Sequence, residues 1–285
     1  MFLLPGSRAL KRFIPSVIQQ NSVQKNIGLF PILRGYIGGL TLSTAGASST
    51  FSVTAGVAVD STNTDVLTLN SVFSKTTAAW AVGSGNGGWD GGGADPSTTA
   101  AWYSIYLIKR PDSGRVDVIF SQNGTPTTLT NIPNGYRLLR RIGSIKTNAS
   151  NQWVKFFQDG DYFEWDVPVS DVSAVNPGKA AVTRTLTVPL GNRVRAHIAG
   201  GASFSDTGPG GMFFSDLSTT DTAASATAST INALSTGGAT TNAVHSLFAW
   251  TNTSGQIRTR QQISTASITL IIITQGWMDY RGSTS

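Results

Sequence analysis

The chain has 285 residues, of which only 13% are charged, and its formal net charge is +6. It contains no cysteine, which excludes disulfide bonds, thiolate metal sites and a cysteine nucleophile. The basic balance reflects scarce acids rather than dense bases, so it does not favour a nucleic-acid ligand. Glu164 is the only glutamate, and the chain is rich in Thr, Ser and Gly, which predicts an all-β fold.

Neither end of the sequence predicts a membrane segment. The start, Met1–Pro5, precedes Arg8 and Lys11, whereas a secretory signal places its positive charges before the apolar stretch. The longest apolar run near the other end, 270–273, is too short to cross a bilayer. We therefore expect no membrane insertion.

Residues 1–35 differ in texture from the rest of the chain. Three prolines argue against one long helix, and only residues 15–23 have the pattern of a short helix. One interpretation is a poorly ordered terminus. We prefer an extended N-terminal docking arm that becomes ordered on a partner, because the segment is too apolar for a solvated tail. Its candidate docking residues are Phe2, Leu3, Leu4, Phe13, Ile14 and Phe30.

Residues 36–285 consist of short alternating segments separated by turn signals. Such spacing predicts an antiparallel β-sandwich or jelly-roll-like domain. Two hairpins are the clearest elements, one with its turn at 111–114 and one at 158–161. The other strands are predicted at 40–43, 51–60, 66–69, 136–145, 183–188, 193–198, 246–251, 256–262 and 267–275.

Two Gly-rich or small-residue stretches are predicted to be loops. Residues 83–96 lack the Gly-Lys-Ser/Thr ending of a phosphate cradle, so we interpret them as a mobile loop with Trp89 as a local anchor. Residues 200–244 are low in charge and are predicted to be mostly loop.

Catalytic chemistry has few candidates in this sequence. The only histidines, His197 and His245, have no recognisable partners for a nucleophilic triad and are too few for a zinc site. The sequence therefore predicts no catalytic residue, no metal site and no cofactor.

One acidic cluster lies around the second hairpin. Its carboxylates could hold calcium or cleave a glycoside, but the preferred interpretation is an ordinary hairpin with solvated acids. Alternation places Tyr162, Glu164 and Asp166 on the outer side, and Phe163, Trp165 and Val167 on the inner side. Asp159 and Asp161 flank the turn glycine. The candidate surface-contact residues are Trp89, Tyr162, Glu164 and Asp166.

Several arginines occur in three groups along the sequence. The groups are Arg137, Arg140 and Arg141, then Arg193 and Arg195, then Arg258 and Arg260. We expect them to meet aspartates of a neighbouring subunit rather than nucleic acid.

The region from residue 36 onward resembles a group of uncharacterised tailed-phage virion proteins of tail-fibre-like type. The resemblance is carried by residues 36–40, 52–58, 105–114, 116–121, 140–145, 183–189 and 276–282. It implies a virion structural protein, assembled as a homotrimer, with no catalytic residues to carry over. Residues 1–35 lie outside the resemblance.

The leading hypothesis is a phage tail fibre or fibre-like spike that is anchored by its N-terminal arm and contacts host-surface glycans through its β domain. A capsid decoration or head-fibre protein is the first alternative. A glycan-degrading enzyme using the acids from Asp159 to Asp166 is the second. The expected location is the virion, assembled in the host cytoplasm, with other virion proteins as partners.

Overall fold

The computed structural model describes residues 34–122, 129, 131–204, 210–225, 232–236, 241–263 and 265–281. Over these residues the chain is all-β and β-sandwich or jelly-roll-like, with no helix. Residues 1–33 of the predicted docking arm, its six candidate residues and the possible helix at 15–23 lie outside the described residues, whereas Gly35 is described and its backbone hydrogen-bonds with Asn63 and Arg140. Among the described residues, no helix has the length and apolar character needed to cross a membrane.

The strands are β1 (Ile37–Gly39), β2 (Leu42–Ser43), β3 (Thr50–Val53), β4 (Gly56–Val59), β5 (Val66–Leu69), β6 (Phe73–Ala79), β7 (Gly87–Trp89), β8 (Trp102–Lys109), β9 (Val116–Ser121), β10 (Leu138–Lys146), β11 (Phe156–Asp159), β12 (Tyr162–Val175), β13 (Val182–Thr185), β14 (Arg195–Phe204), β15 (Gly210–Ser215), β16 (Asn232–Thr236), β17 (Thr241–Trp250), β18 (Gln256–Gln261) and β19 (Ile268–Met278).

The strands form four sheets. A seven-stranded sheet has the order β10-β8-β9-β7-β6-β3-β2, and a five-stranded sheet has the order β11-β12-β19-β14-β17. Smaller sheets are β1-β4-β5 and β13-β18-β15-β16. The larger sheet is mixed, because β7 pairs in parallel with both β6 and β9. The other strand pairs of the described residues are antiparallel, as the predicted sandwich or jelly-roll-like fold requires.

The hydrophobic core joins the two larger sheets. At one end, Trp153 packs edge-on against Phe51 and Phe120, with ring centroids 5.5 and 5.2 Å apart. At the other end, Trp102 of the seven-stranded sheet contacts Trp277 of the five-stranded sheet at 5.3 Å. These aromatic pairs belong to one cluster of buried side chains drawn from both sheets.

An ion pair also ties the two sheets together. Arg141 of β10 and Asp279, just after β19, form two hydrogen bonds of 2.7 and 2.5 Å, and both side chains are buried. Burial raises the pKa of Asp279, but the charge and hydrogen bonds of Arg141 more than offset this, so the pKa lies below its usual value.

Residues 83–96 do not form one continuous loop, because the short strand β7 interrupts them and leaves loop segments on both sides. Strand β7 lies inside the seven-stranded sheet, and Gly87 and Gly88 are buried. A Cβ at Gly87 would lie 2.0 Å from the carbonyl oxygen of Ala79, so only glycine permits this close approach. Close packing therefore requires glycine at Gly87, whereas Gly85 and Gly91 have open space around them and a positive φ.

A buried lysine holds the segment that leads into β7. Lys75 Nζ lies 2.8 Å from Asp117 and donates hydrogen bonds to the carbonyl oxygens of Ala81, at 2.6 Å, and Gly87, at 3.2 Å. Lys75 is fully buried and Asp117 is 1% exposed. Burial lowers the pKa of Lys75, and the hydrogen bond and charge of Asp117 oppose that effect. All three ammonium protons thus have an acceptor.

The loop prediction for 200–244 is also wrong. Strand β14 continues to Phe204, β15 and β16 follow, and β17 begins at Thr241. The small side chains are compatible with strands here because β14 lies between β19 and β17 as a central strand. Gly200 illustrates the reason, since a Cβ there would lie 2.9 Å from the ring of Phe214.

Candidate functional site

The outer side of the five-stranded sheet carries two adjacent rows of residues, most of them with large side chains, which we call the aromatic face. The first row contains Phe157, Glu164, Gly276, His197 and Phe248, and the second contains Asp159, Tyr162, Met278, Arg195 and Trp250. Side chains between these rows point the other way. Phe163, Trp277 and Ala196 are fully buried, which confirms that the aromatic face is the side away from the core.

Three side chains on or beside this face form a hydrogen-bonded chain. Tyr162 Oη lies 2.6 Å from Nδ1 of His197, and His197 Nε2 lies 2.7 Å from Oγ of Ser246. Strand β19 separates Tyr162 from His197, and Gly276 leaves the space that the tyrosine crosses. A Cβ at Gly276 would lie 2.1 Å from the carbonyl oxygen of Phe163, so this glycine also permits close packing of β19 on β12.

Stacked rings and guanidinium groups complete the face. His197 stacks on Phe248 with centroids 4.5 Å apart and an interplanar angle of 14°. The guanidinium group of Arg195 also lies over the Phe248 ring, 5.2 Å from its centroid. The rings of Trp250 and Tyr280 stack with their centroids 5.6 Å apart, and the guanidinium group of Arg193 lies 5.0 Å from the Trp250 centroid. The result is a half-exposed platform of rings with polar groups at its edges.

The protonation states of this chain decide what chemistry it can perform. Burial lowers the pKa of His197, and the charge of Glu164 opposes the shift, so the imidazole is neutral near pH 7. Burial and the charge of Glu164 both raise the pKa of Tyr162, so its phenol is also neutral. A serine nucleophile would need Nε2 of His197 to accept the proton of Ser246 and an anionic group at Nδ1. A neutral phenol occupies that position, which favours binding over acyl transfer.

This constellation was missed from the sequence. The sequence predicts no partner for His197, and this prediction is wrong, because Tyr162 forms a hydrogen bond with Nδ1 and Ser246 forms one with Nε2. The available signal was the alternation of ring and polar residues at Ser246, Phe248 and Trp250. Its use required knowing that β17 pairs with β14, a contact between segments about fifty residues apart.

The acidic cluster is dispersed by local partners. Asp161 pairs with Arg281 at 2.7 Å, and Asp166 pairs with Lys155 at 3.0 Å. Glu164 is exposed on the aromatic face. Among the described residues, no group of three or more His, Asp or Glu side chains could hold a metal ion.

The predicted alternation of the second hairpin holds only in part. Phe163 and Trp165 are buried as expected, but Val167 is 73% exposed. The register of β12 against β19 shifts between Glu164 and Val169, and this irregularity turns Val167 outward. The turn itself consists of Gly160 and Asp161, with Gly160 at a φ of 56°.

The remaining predicted contact residue and the arginines have other positions. Trp89 is half-buried in the seven-stranded sheet, where its Nε1 donates a hydrogen bond to the carbonyl of Gly92. Four of the grouped arginines pair with aspartates of the chain itself rather than of a neighbouring subunit. Arg193 pairs with Asp216, Arg258 and Arg260 pair with Asp221, and Arg141 pairs with Asp279.

A cavity of about 510 Å³ lies on another part of the surface. It is bounded by the ends of β8 and β10 and by the segment after β13. Its lining includes Trp102, Ser104, Gln122, Ser144, Lys146 and Thr187.

Comparisons with known proteins do not identify a family. No protein-family model matches the sequence, and no curated protein matches it. Among solved structures, the chain is similar to one in the structure of infectious bursal disease virus Gx strain, with 10% sequence identity and a TM-score of 0.21. The match covers 88% of this chain and 74% of that chain. A TM-score this low supports no argument about fold or function.

Proposed function

We propose that the chain is a structural protein of a tailed-phage particle, a tail fibre or fibre-like spike that contacts glycans of the host surface. The observation that carries the proposal is the aromatic face. Phe248, Trp250, Tyr162 and Phe157 offer ring surface to the apolar faces of sugars, and His197 offers a neutral hydrogen-bonding edge.

The flatness of the platform favours weak, repeated contact over deep capture of one ligand. Phe157 is 56% exposed, and the rows cross all five strands of the sheet. Several copies on one particle would then gain avidity from many low-affinity contacts. In this proposal the chain acts by binding, as a homotrimer located on the virion, and residues 1–35 dock on other virion proteins.

Adsorption to host cells tests the role of the face. Particles carrying Phe248→Ala or Trp250→Ala should bind host cells at least about tenfold more weakly at equilibrium, because losing an aromatic contact of this kind costs about 1.4 kcal/mol or more. Tyr36→Ala is the matched control, since Tyr36 is an aromatic residue that is 46% exposed and lies outside the face. Normal adsorption of both face variants, with circular dichroism confirming that they fold, would contradict the proposal.

A second experiment separates the tail location from the head location. Electron microscopy of particles labelled with an antibody to the β domain should place the label on the tail. Label on the capsid would favour the decoration protein instead. Deleting residues 1–33, which keeps the hydrogen bonds of Gly35 to Asn63 and Arg140, should abolish incorporation while the β domain still folds, and normal incorporation would contradict a docking role.

A further inference from the structure

We propose that the cavity beside β8 and β10 is a binding site for a sugar that carries a carboxylate. This inference names a separate site and a ligand class, and it rests on the proposed function only for the source of the sugar, the host surface. The cavity volume of about 510 Å³ lies within the usual range for small-ligand sites.

An aromatic wall of the cavity is rigidly held. Trp102 packs against Trp277 at 5.3 Å and against Trp165 at 5.6 Å, and both of those rings are buried. Because these contacts fix the indole, Trp102 presents a preorganised ring to the cavity without an ordering cost on binding. The C–H face of a pyranose ring is the ligand surface that suits such a wall.

The cation of the cavity is Lys146, directly opposite Trp102 in the pairing of β8 and β10. Lys146 is half-buried, and its ammonium group has no ion pair or hydrogen bond within the described part of the chain. The nearby charges are already engaged. Arg141 pairs with Asp279. Asp171 keeps its negative charge, but its oxygens accept hydrogen bonds from Thr187, at 2.7 and 2.6 Å, and from Thr274, at 2.5 Å. Lys146 is therefore the charge available to a ligand, and it attracts an anion.

Small polar groups complete the lining. Ser104 and Ser144 lie on adjacent strands with their hydroxyl oxygens 3.3 Å apart, and Arg141 donates a hydrogen bond to Ser144 at 3.1 Å. Gln122 and Thr187 stand on other sides of the same cavity. Ser104 and Ser144 are buried and already hydrogen-bonded, so the exposed Gln122 amide and the half-buried Thr187 oxygen are the groups that match the hydroxyl groups of a sugar.

Titration of the full chain with sodium glucuronate tests the assignment, with glucose and acetate as separate arms. Glucuronate should bind at least about tenfold more tightly than either, because only it engages both the ammonium group and the ring wall. Lys146→Gln should weaken glucuronate binding at least about tenfold, to the level of glucose. Lys179→Gln, at an exposed lysine outside the cavity, should have no effect.

Several results would overturn the proposal. Equal affinity for glucuronate and glucose would remove the role of the charge, and equal affinity for acetate would reduce the cavity to an anion site. If Lys146→Gln and Lys179→Gln bind glucuronate with equal affinity, Lys146 does not contribute to the site. Trp102→Phe, which keeps an aromatic side chain in the packed cluster, should retain the fold and weaken glucuronate and glucose alike.

The outcome is independent of the adsorption experiment. Phe248→Ala should bind glucuronate normally, because the aromatic face and the cavity share no residue. Glucuronate binding together with normal adsorption of the face variants would uphold this site and reject the proposed role of the face. The opposite pair of results would do the reverse.

Discussion

Replacing Lys75 with methionine tests how much the buried ion pair stabilises the seven-stranded sheet. Methionine keeps an unbranched side chain of similar length but removes the three donors that reach Asp117 and the carbonyl oxygens of Ala81 and Gly87. The carboxylate of Asp117 would stay buried, and its remaining donors among the described residues would be the backbone N–H groups of Gly83 and Val118, each at 2.7 Å.

We expect Lys75→Met to lower the free energy of unfolding by about 3–5 kcal/mol, the usual cost of removing one partner from a buried pair. In a chain of this size that corresponds to a melting temperature lower by about 6–20 °C. Urea unfolding followed by tryptophan fluorescence measures the free energy, and calorimetry measures the melting temperature. The expected effect is large because solvent cannot reach either partner.

Two controls make this experiment decisive. Lys109→Met removes a partly exposed ion pair of nearly the same length, 2.7 Å to Asp65, and should cost about 1 kcal/mol or less. The double variant Lys75→Met with Asp117→Asn also removes the unpaired buried carboxylate, and it should recover about half of the lost free energy of unfolding. If Lys75→Met costs no more than Lys109→Met, the reasoning about burial is refuted.

Three further predictions concern the five-stranded sheet. In a His245→Gln chain, His197 is the only histidine, and NMR titration should give it a pKa below 6.5. The free energy of unfolding should then fall as the pH falls from 6.5 towards that pKa, because the unfolded chain binds the proton first. A pKa of 6.5 or higher would contradict burial as the cause of the shift. Gly276→Ala should cost about 1–3 kcal/mol, measured by thermal unfolding, because its Cβ would overlap the backbone of β12; an unchanged melting temperature would contradict the close packing. Asp279→Asn should cost about 3–5 kcal/mol at neutral pH by leaving Arg141 buried and unpaired. This last penalty should shrink below about pH 3.8, where the wild-type carboxylate is itself protonated in the unfolded chain; a penalty that stays constant with pH would contradict the ion pair.

The all-β architecture could be predicted because local signals agree with the global fold. The hairpin of β8 and β9, with Gly114 at a φ of 69° in its turn, follows directly from the alternation of the strands and the turn chemistry. The second hairpin could be predicted in the same way, because aromatic and acidic residues alternate along its strand with a period of two.

The strands at 200–244 could not be predicted, because composition reports only what a segment can do when it is isolated. Gly200, Gly201 and Ala202 have weak strand propensity, yet β14 is a central strand that pairs with both neighbours over ten residues. Tertiary packing selects small side chains there, since Phe214 fills the space above Gly200.

The aromatic face shows the same limit at the level of the site. Tyr162 and Glu164 were recognised as outward-facing, because that statement concerns one strand alone. His197, Ser246 and Phe248 were not recognised, because each of them becomes meaningful only beside residues of another strand. A single sequence contains no measure of which distant strands pair.

The position of β19 has a consequence for the order of folding. It follows every other described strand in the sequence, yet it pairs with β12 on one side and β14 on the other. Until it inserts, both of those strands keep a row of unpaired backbone groups that can pair with a neighbouring chain. Such late, long-range closure is intrinsically slow. Newly made copies are therefore most prone to mispairing with one another just before β19 arrives, and low temperature or dilution during synthesis should raise the yield of native protein.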